Sequence, residues 1–287
     1  MNRQTSTQHF LTGPAAWWDS LMEMSKKELL IMIRYPVEFV ASFGQMFIIV
    51  IVLTVAGLMF SEGGLQSAGN SSRTSGVVVY GFVLFMFMSD VMWTIGYNVR
   101  REQKQGTLEQ LYLSPASKFV SLLSRVTVTL VWTGLLSATS AALMSAMIGR
   151  LPFSNLPLAA FILVMALSGT FGFGFAFAAI TLRIKEAGQT LANLLQFVYM
   201  VFCAPFFPFF ALPEWILAVS RVIPFAYAVD AFRSTLLNFP AGYPELAPIE
   251  IEIVIVTAFG LLMPLFGYWL YRREEDRARR TGSLSEY

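Results

Sequence analysis

The sequence predicts an all-α membrane protein, and three observations support this class. Hydrophobic residues make up 56% of the 287 residues, and only 13% are charged. The mean hydropathy is +0.61. A chain of this composition carries more apolar surface than one water-soluble core of this size would bury. Six apolar runs are each long enough to cross the bilayer core of about 30 Å as a helix. The runs cover residues 39–60, 77–99, 126–148, 156–182, 191–210 and 251–271.

The Lys and Arg residues predict how these spans are oriented. Of the 20, all but Arg73, Arg150, Arg221 and Arg233 lie in the N-terminal segment, the loop after span two, the turn after span four, or the C-terminal tail. Because cytoplasmic loops carry the excess of Lys and Arg, we expect both termini in the cytoplasm and a multi-pass protein of the inner (plasma) membrane. A net charge of +2 is too small to indicate a nucleic acid partner.

Few residues could support catalysis, metal binding or redox chemistry. The one cysteine, Cys203, lies in an apolar run and excludes an intrachain disulfide. The one histidine, His9, lies in a polar tail, and no Ser/His/Asp or Cys/His set is evident. The N-terminus lacks the basic start and apolar stretch of a signal peptide. We therefore expect no metal, no cofactor and no catalytic residue in this chain.

The chain divides into three predicted segments. Residues 1–36 form a cytoplasmic tail and an amphipathic helix along the membrane interface, although this helix could instead begin a long span interrupted at Pro36. Residues 37–271 form the six-span domain, and residues 272–287 form a basic cytoplasmic tail. Before the last span, residues 211–249 contain two helical patterns too short and too charged to cross a membrane separately. We interpret them as an outer helical hairpin partly sunk into the outer leaflet.

One charged stretch, RREQKQGTLEQLYLSP at residues 100–115, interrupts the apolar sequence between spans two and three. Gly106 allows the chain to turn, and Thr107 with Gln110 matches a capping box, in which both side chains bond backbone N–H groups at a helix start. The Ser-Pro pair that follows is typical of a second helix start. The pattern predicts a short amphipathic helix over residues 107–113 on the cytoplasmic side. On these residues alone, a well-capped connecting loop is an equally good interpretation.

Two stretches resemble the ABC-2 type transporter permeases. EQKQGTLEQLYLSP, residues 102–115, contains an acidic residue, Gly-Thr, Leu-Glu and Ser-Pro in the order found between spans two and three of that family. LPEWILAVSRVIPFAYAVDAFRSTLL, residues 212–237, is similar to the family's region before the last span, where Leu-Pro, a Pro with an aromatic residue, and acidic-x-x-Arg recur. The second match is most similar to the drug-resistance branch, exemplified by daunorubicin-type exporters. The resemblance covers the whole chain in segment order.

The resemblance implies that residues of about 102–114 form a coupling helix, which docks on a separate ATPase. Acidic and polar side chains of this region would face basic or polar groups of the ATPase, and apolar side chains would anchor the contact. Glu102 could instead pair locally with Arg101 or Lys104. The implied ATPase-coupling residues are Glu102, Gln105, Gly106, Thr107, Leu108, Glu109 and Tyr112.

The resemblance also implies the energy source and the assembly. The chain has no G-x-x-x-x-G-K-[ST] phosphate loop, and the glycines of GTFGFGF at residues 169–175 are better explained by close helix packing. ATP and Mg would therefore be bound by the partner ATPase, and this chain would not itself be an enzyme. Family members work as a permease pair with two ATPase copies, so a homo- or heterodimer in contact with membrane lipid is expected.

Aromatic and Met side chains recur at helical spacing on spans one, two and five. By resemblance these spans build the conduit between two permeases, although such stripes also suit contacts with lipid or with other helices. Asp90 lies deep in span two, where a carboxylate needs a partner or a wet cavity. We expect it either to hydrogen-bond Trp93, Tyr97 or a neighbouring helix, or to bind cationic cargo. The cargo-path candidates are Asp90 with Phe43, Met46, Phe47, Phe82, Phe85, Met86, Phe197 and Met200.

The stretch APFFPFF at residues 204–210 is the candidate outer gate. Its two prolines leave backbone carbonyls without their usual donors, which is tolerated where protein buries them. The resemblance implies that the phenylalanines close the outer end of the conduit as a hydrophobic barrier. The gate candidates are Pro205, Phe206, Phe207 and Pro208.

Three residues of the outer hairpin complete the candidate site: Tyr227, Asp230 and Arg233. Asp230 and Arg233 stand one helical turn apart, so they can pair locally. The resemblance implies that these residues help to hold the hairpin.

Together with its apolar spans, this resemblance implies the transmembrane permease of an ATP-driven multidrug-type exporter, whose cargo is hydrophobic or amphipathic and drug- or lipid-like. An apolar, aromatic conduit suits such cargo better than a sugar chain, and an exporter of polysaccharide or lipid-linked glycan is the alternative within the family. A secondary transporter, from a different class, would need an ion-coupling site near the midplane and often internal repeats. Asp90 is the one carboxylate so placed, and no convincing repeat is evident.

Overall fold

Every regular element is helical in the part of the chain that this computed structural model describes. The described residues are 76–92, 152–183 and 188–281 and, with gaps, positions within 22–52 and 127–142. The predicted all-α class is thus confirmed. The helices are α1 (Gly76–Met92), α2 (Leu130–Thr139), α3 (Leu156–Arg183), α4 (Gly188–Phe202), α5 (Glu214–Ser220), α6 (Pro224–Leu236) and α7 (Ile249–Thr281), with a 3-10 turn at Phe209–Ala211.

Within the described residues, two helices are long and apolar enough to cross a membrane, as expected of a membrane protein. They are Leu156–Ile180 within α3, with mean hydropathy 2.0, and Ile249–Glu274 within α7, with mean hydropathy 2.1. Shorter apolar helices, α1, α2 and most of α4, lie within predicted spans two, three and five. Beyond its predicted span α7 continues to Thr281, because the stretch RREEDRARR is rich in strong helix formers.

Helix α4 ends earlier than the sequence predicts. The expected fifth span runs over residues 191–210, whereas the helix ends at Phe202. Pro205 and Pro208 explain the difference, because neither can donate the backbone hydrogen bond that a continuing helix needs.

The region between α4 and α7 contains two helices that meet at a sharp angle. Helix α6 is bent by 97° relative to α5, with Arg221, Val222 and Ile223 between them. Helix α6 begins with Pro224 at a position where a missing N–H costs nothing. All of its residues from Phe225 to Leu236 are buried, so α6 lies inside the protein rather than on its surface.

Helices α3 and α7 pack so closely that glycines are required at their contact. A Cβ atom at Gly267 would lie 1.9 Å from the carbonyl oxygen of Gly172. A Cβ atom at Gly172 would lie 2.2 Å from the nitrogen of Pro264. Small residues let helix backbones approach in this way where the hydrophobic effect gives helices little reason to associate. The predicted packing role of the GTFGFGF glycines therefore agrees with the geometry.

The contact between α3 and α7 also replaces a backbone hydrogen bond that a proline removes from α7. Pro264 cannot donate to the carbonyl of Gly260, four residues earlier. The hydroxyl of Ser168 on α3 donates to that carbonyl instead, at 2.7 Å. A proline in the middle of a membrane helix is thus tolerated, because the neighbouring helix supplies the missing donor.

The other side of α7 presents large apolar side chains outward. Because a membrane span is surrounded by hydrocarbon, this exposed face is suited to lipid or to another membrane chain. Its members are Leu261, Leu262, Leu265, Phe266 and Trp269.

We predict that Gly267→Ala destabilises the protein, because the added methyl group collides with backbone rather than with a movable side chain. Overpacking of this kind costs about 1–3 kcal/mol. The apparent melting temperature of the detergent-solubilised protein should fall. Gly44→Ala is the matched control, since Gly44 is also helical but a Cβ atom there meets nothing within 4 Å. Equal melting temperatures for the two variants would contradict the close α3–α7 contact.

Candidate functional site

The predicted coupling region lies outside the described residues, as do two of the cargo-path candidates. The structure does describe the remaining cargo-path candidates and all of the gate and hairpin candidates. The residues outside it are Glu102, Gln105, Gly106, Thr107, Leu108, Glu109 and Tyr112 of the coupling region, with Phe43 and Met46 of the cargo path.

Residues 204–210, here called the gate segment, begin where α4 stops. Ala204 has a φ of +44°, a left-handed conformation that costs energy for a residue with a Cβ atom. This turn takes the chain off the axis of α4. Helix α1 meets the segment at Gly81, where a Cβ atom would lie 2.3 Å from the Pro205 carbonyl oxygen. Span two and the gate segment therefore touch through their backbones.

Aromatic rings join the gate segment to the same helix. The ring of Phe206 lies 5.6 Å from that of Phe82 and 5.7 Å from that of Phe85, measured between centroids. The two α1 rings are 6.5 Å apart and stacked. These distances fall in the range of favourable aromatic contacts. The structure thus brings one predicted gate residue and two predicted cargo-path residues into a single cluster.

The predicted cargo-path residues differ in their surroundings. Phe82 and Phe85 are buried, with exposed fractions of 2% and 5%. Phe47, Met86 and Met200 are partly buried against the same core, as are Phe206 and Phe207 of the gate. Phe197, by contrast, is 61% exposed. The helical spacing of the stripes is therefore compatible with two kinds of environment.

Arg233 of α6 is fully buried, and its guanidinium group binds the backbone of the gate segment. Nη1 donates to the carbonyl of Phe207 at 2.9 Å, and Nη2 donates to the carbonyl of Ala204 at 3.0 Å. The guanidinium carbon also lies 5.0 Å from the centroid of the Phe209 ring, within the range of a cation–π contact. A cation here also complements the negative end of the α4 dipole.

Asp230 binds a different part of the chain. Its Oδ2 atom accepts hydrogen bonds from the backbone N–H groups of Glu245 at 2.7 Å and Leu246 at 2.8 Å. In the part of the chain that the structure describes, no salt bridge joins Asp230 to Arg233. The predicted local pair is therefore wrong, since each side chain satisfies backbone groups that have no partner within their own segment.

Two further carboxylates that the sequence analysis did not single out complete this polar cluster. Glu245 accepts a hydrogen bond from the backbone N–H of Phe210 through Oε2 at 2.6 Å. Burial raises the pKa of the Glu245 carboxyl, and the bond from Phe210 partly offsets that effect. Glu252 is fully buried and accepts from the N–H of Ala247 at 3.3 Å. For Glu252 the signal available in the sequence was its position in the first turn of an apolar helix, where acidic residues bind free N–H groups.

Tyr227 fixes the bend between α5 and α6. Its hydroxyl donates to the carbonyl of Arg221 at 2.8 Å, at the end of α5. The carbonyls of a helix end have no partner in their own helix, so this bond satisfies one of them. The hydroxyl of Tyr80 on α1 also donates to a backbone carbonyl, that of Pro152 ahead of α3.

Asp90 has the kind of partner that one of the two sequence hypotheses expects. The hydroxyl of Thr133, on the neighbouring helix α2, donates to Asp90 Oδ2. Thr133 is fully buried, and Asp90 is partly buried. The contact links α1 to α2, as the hypothesis of a hydrogen bond to a neighbouring helix expects. Among the described residues, no group of three or more His, Cys, Asp and Glu side chains could hold a metal ion.

Comparison with known proteins places this arrangement in a family. Among the curated proteins, none matches the chain. The family model for ABC-2 family transporter proteins matches residues 62–269. This range contains the gate segment, the α5–α6 pair and the buried polar cluster, and it exceeds half of the chain. The chain therefore belongs to the ABC-2 family of transporter proteins.

Proposed function

We propose that this chain is the permease subunit of an ATP-driven exporter and that the gate segment closes the outer end of its conduit. Family membership makes it a transport permease and implies an ABC ATPase subunit as its partner. The observation that carries the more detailed proposal is the cluster in which Phe206 covers Phe82 and Phe85. Large rings that meet at the end of an apolar path exclude water and ions.

The proposed topology has six spans, with both termini in the cytoplasm of a cell whose inner (plasma) membrane holds the protein. In the part of the chain that the structure describes, two helices meet the length and hydropathy expected of spans, and three shorter apolar helices lie in predicted spans. The bent α5–α6 pair is proposed to be the outer hairpin, which re-enters the membrane from outside. The exposed side chains of Phe210, Trp215 and Val222 support this placement, because apolar and aromatic groups prefer the membrane interface.

The proposed complex contains two permease chains and two ATPase copies. ATP and Mg bind the ATPases, and this chain contributes movement rather than a catalytic group. ATP-driven closure of the ATPases would move the coupling regions, shift spans one, two and five, and separate Phe206 from Phe82 and Phe85. The apolar and aromatic character of these side chains supports hydrophobic or amphipathic cargo, such as a drug or a lipid.

The topology can be tested with single cysteines in a Cys203→Ala background. We expect Ala241→Cys, which is in the loop after α6, to react with an impermeant thiol reagent in intact cells. Asp276→Cys, near the end of α7, should react only after the cells are permeabilised. Both positions are exposed, so a failure to react reports the side of the membrane. The reverse pattern would contradict the proposed orientation.

The gate can be tested with Phe206→Ala. Removing the ring that covers Phe82 and Phe85 should loosen the closed state, because truncating a Phe that packs against a core costs up to about 3–5 kcal/mol. In liposomes, we expect a leak of small solutes and ATP hydrolysis that responds less to cargo. Phe266→Ala is the control, since that ring is 50% exposed on the outer face of α7. If both variants behave like the unchanged protein, Phe206 has no gating role.

The link to the ATPase can be tested with Glu102→Ala and Gly106→Val. The first removes a charge-assisted contact, and the second places a β-branched residue at a predicted turn. Membrane insertion should stay nearly normal, whereas co-purification with the ATPase or cargo-stimulated hydrolysis should fall. Assembly, hydrolysis and export should be measured on the same preparations. Normal values of all three for both variants would mean that residues 102–114 form only a connecting loop.

A further inference from the structure

The gate segment is held at both ends by side chains that lie outside it. Near its start, Arg233 binds the carbonyls of Ala204 and Phe207. At its end, Glu245 binds the N–H of Phe210. Both side chains come from later in the chain, 26 to 35 residues away from the groups they bind. The shape of the gate segment is therefore set by α6 and by the loop between α6 and α7.

Asp230 connects the two side chains, Arg233 and Glu245, that hold the gate segment. Its carboxylate binds the backbone N–H groups of Glu245 and Leu246, so the loop that carries Glu245 is fastened to α6. Arg233 lies on the same helix, one turn further along. Helix α6 therefore holds the start of the gate segment directly and its end through Glu245.

The N–H group of Phe210 bonds the side chain of Glu245, whereas the next two N–H groups along the chain bond carbonyls of the same turn. In the 3-10 turn, the N–H of Ala211 bonds the carbonyl of Pro208, and the N–H of Leu212 bonds the carbonyl of Phe209. Pro208 itself has no N–H. The one hydrogen bond described for the Phe210 N–H is the 2.6 Å contact with Glu245.

We propose that Glu245 and Arg233 form a clamp that positions the gate segment in its closed form, with Glu245 as the releasable end. This inference rests on the proposed function, since it names the residues that position the gate. Arg233 makes two hydrogen bonds and a ring contact in a fully buried site, whereas Glu245 makes one bond to the gate and is only partly buried. Opening therefore begins at Phe210, or it carries α6 along with the gate.

The charges around Glu245 give the clamp a defined response to pH. Burial raises the pKa of Glu245, and the negative charge of Asp230 raises it further, while the Phe210 N–H and the positive charge of Arg233 lower it. Tyr243, in the same loop, also faces the carboxyl, and Glu252 of α7 acts on Asp230. If opening exposes Glu245 to water, the closed state holds its proton more tightly than the open state. The closed state is then favoured as pH falls and is weakened as pH rises through the pKa of the closed state.

The test uses the permease with its ATPase in liposomes loaded with carboxyfluorescein, and it compares two ways of breaking one hydrogen bond. Glu245→Ala removes the acceptor, and Phe210→Pro removes the donor. Each should raise dye leak by up to about tenfold, the effect of losing one hydrogen bond. Phe210→Ala is the matched control: it keeps the N–H and removes only a ring that is 75% exposed, so its leak should stay unchanged.

The double variant Glu245→Ala with Phe210→Pro decides whether the two changes act on the same bond. If they do, the double variant leaks no more than either single variant. Fully additive effects would contradict the clamp. Glu245→Gln keeps an acceptor oxygen but does not titrate, so its leak should stay low and nearly independent of pH. In the unchanged protein the leak should rise with pH, a difference that a purely structural role for Glu245 would not produce.

A second measurement separates failure of the clamp from failure of the proposed function. Amide hydrogen exchange of peptides covering residues 204–212, in the purified complex, needs neither cargo nor transport. Glu245→Ala should increase exchange there, and Phe210→Ala should not. Increased exchange in a complex that shows no ATP-driven export would support the clamp and reject the exporter. Unchanged exchange and unchanged leak in a complex that does export would reject the clamp.

Discussion

An apolar environment leaves no water to bond a free backbone carbonyl, and this constraint explains most of the polar contacts in the structure. Prolines and helix ends free carbonyls that the chain cannot satisfy from within the same segment. Ser168 supplies the donor for the carbonyl freed by Pro264, and Tyr227 supplies one at the end of α5. Arg233 supplies two donors to the gate segment. The buried polar side chains in these contacts thus serve the backbone.

The same constraint accounts for the absence of an Asp230–Arg233 pair. An ion pair between them would satisfy the two side chains but would leave the carbonyls of Ala204 and Phe207 and the N–H groups of Glu245 and Leu246 without partners. Each unpaired buried group costs about 1–3 kcal/mol. In the observed arrangement Asp230 accepts from the N–H groups and Arg233 donates to the carbonyls, so all of these groups have partners. The hydrogen bonds of the two side chains tie three segments of chain together.

The sequence was sufficient for those features that depend on local pattern. Apolar runs predicted α3 and α7 as spans, and the prolines at 205 and 208 marked an irregular segment, although the run was wrongly extended through it. The aromatic stripes identified residues on one helix face but not what covers that face, which is why Phe82 is buried and Phe197 is exposed.

The contacts of the polar cluster could not be predicted in the same way. Arg233 and Glu245 bond backbone groups 26 to 35 residues away. Backbone groups are the same in nearly all residues, so the sequence does not show which of them a side chain will bond. A local rule, such as pairing at a spacing of three, therefore found the right residues and assigned them the wrong partners. The close approach of α3 to α7 was easier to foresee, because it requires glycine at particular positions.

The length of α7 has a mechanical consequence. Its 33 residues make a rod about 50 Å long, with Glu252 in the buried cluster at one end and the charged RREEDRARR stretch at the other. The glycine contact with α3 lies between these ends, at Gly260 and Gly267, where the two backbones approach most closely. For a rod of this length, a tilt of about 5° moves one end relative to the other by about 4 Å. If α7 crosses the membrane as proposed, such a tilt would couple the buried cluster at one end to the charged stretch at the other.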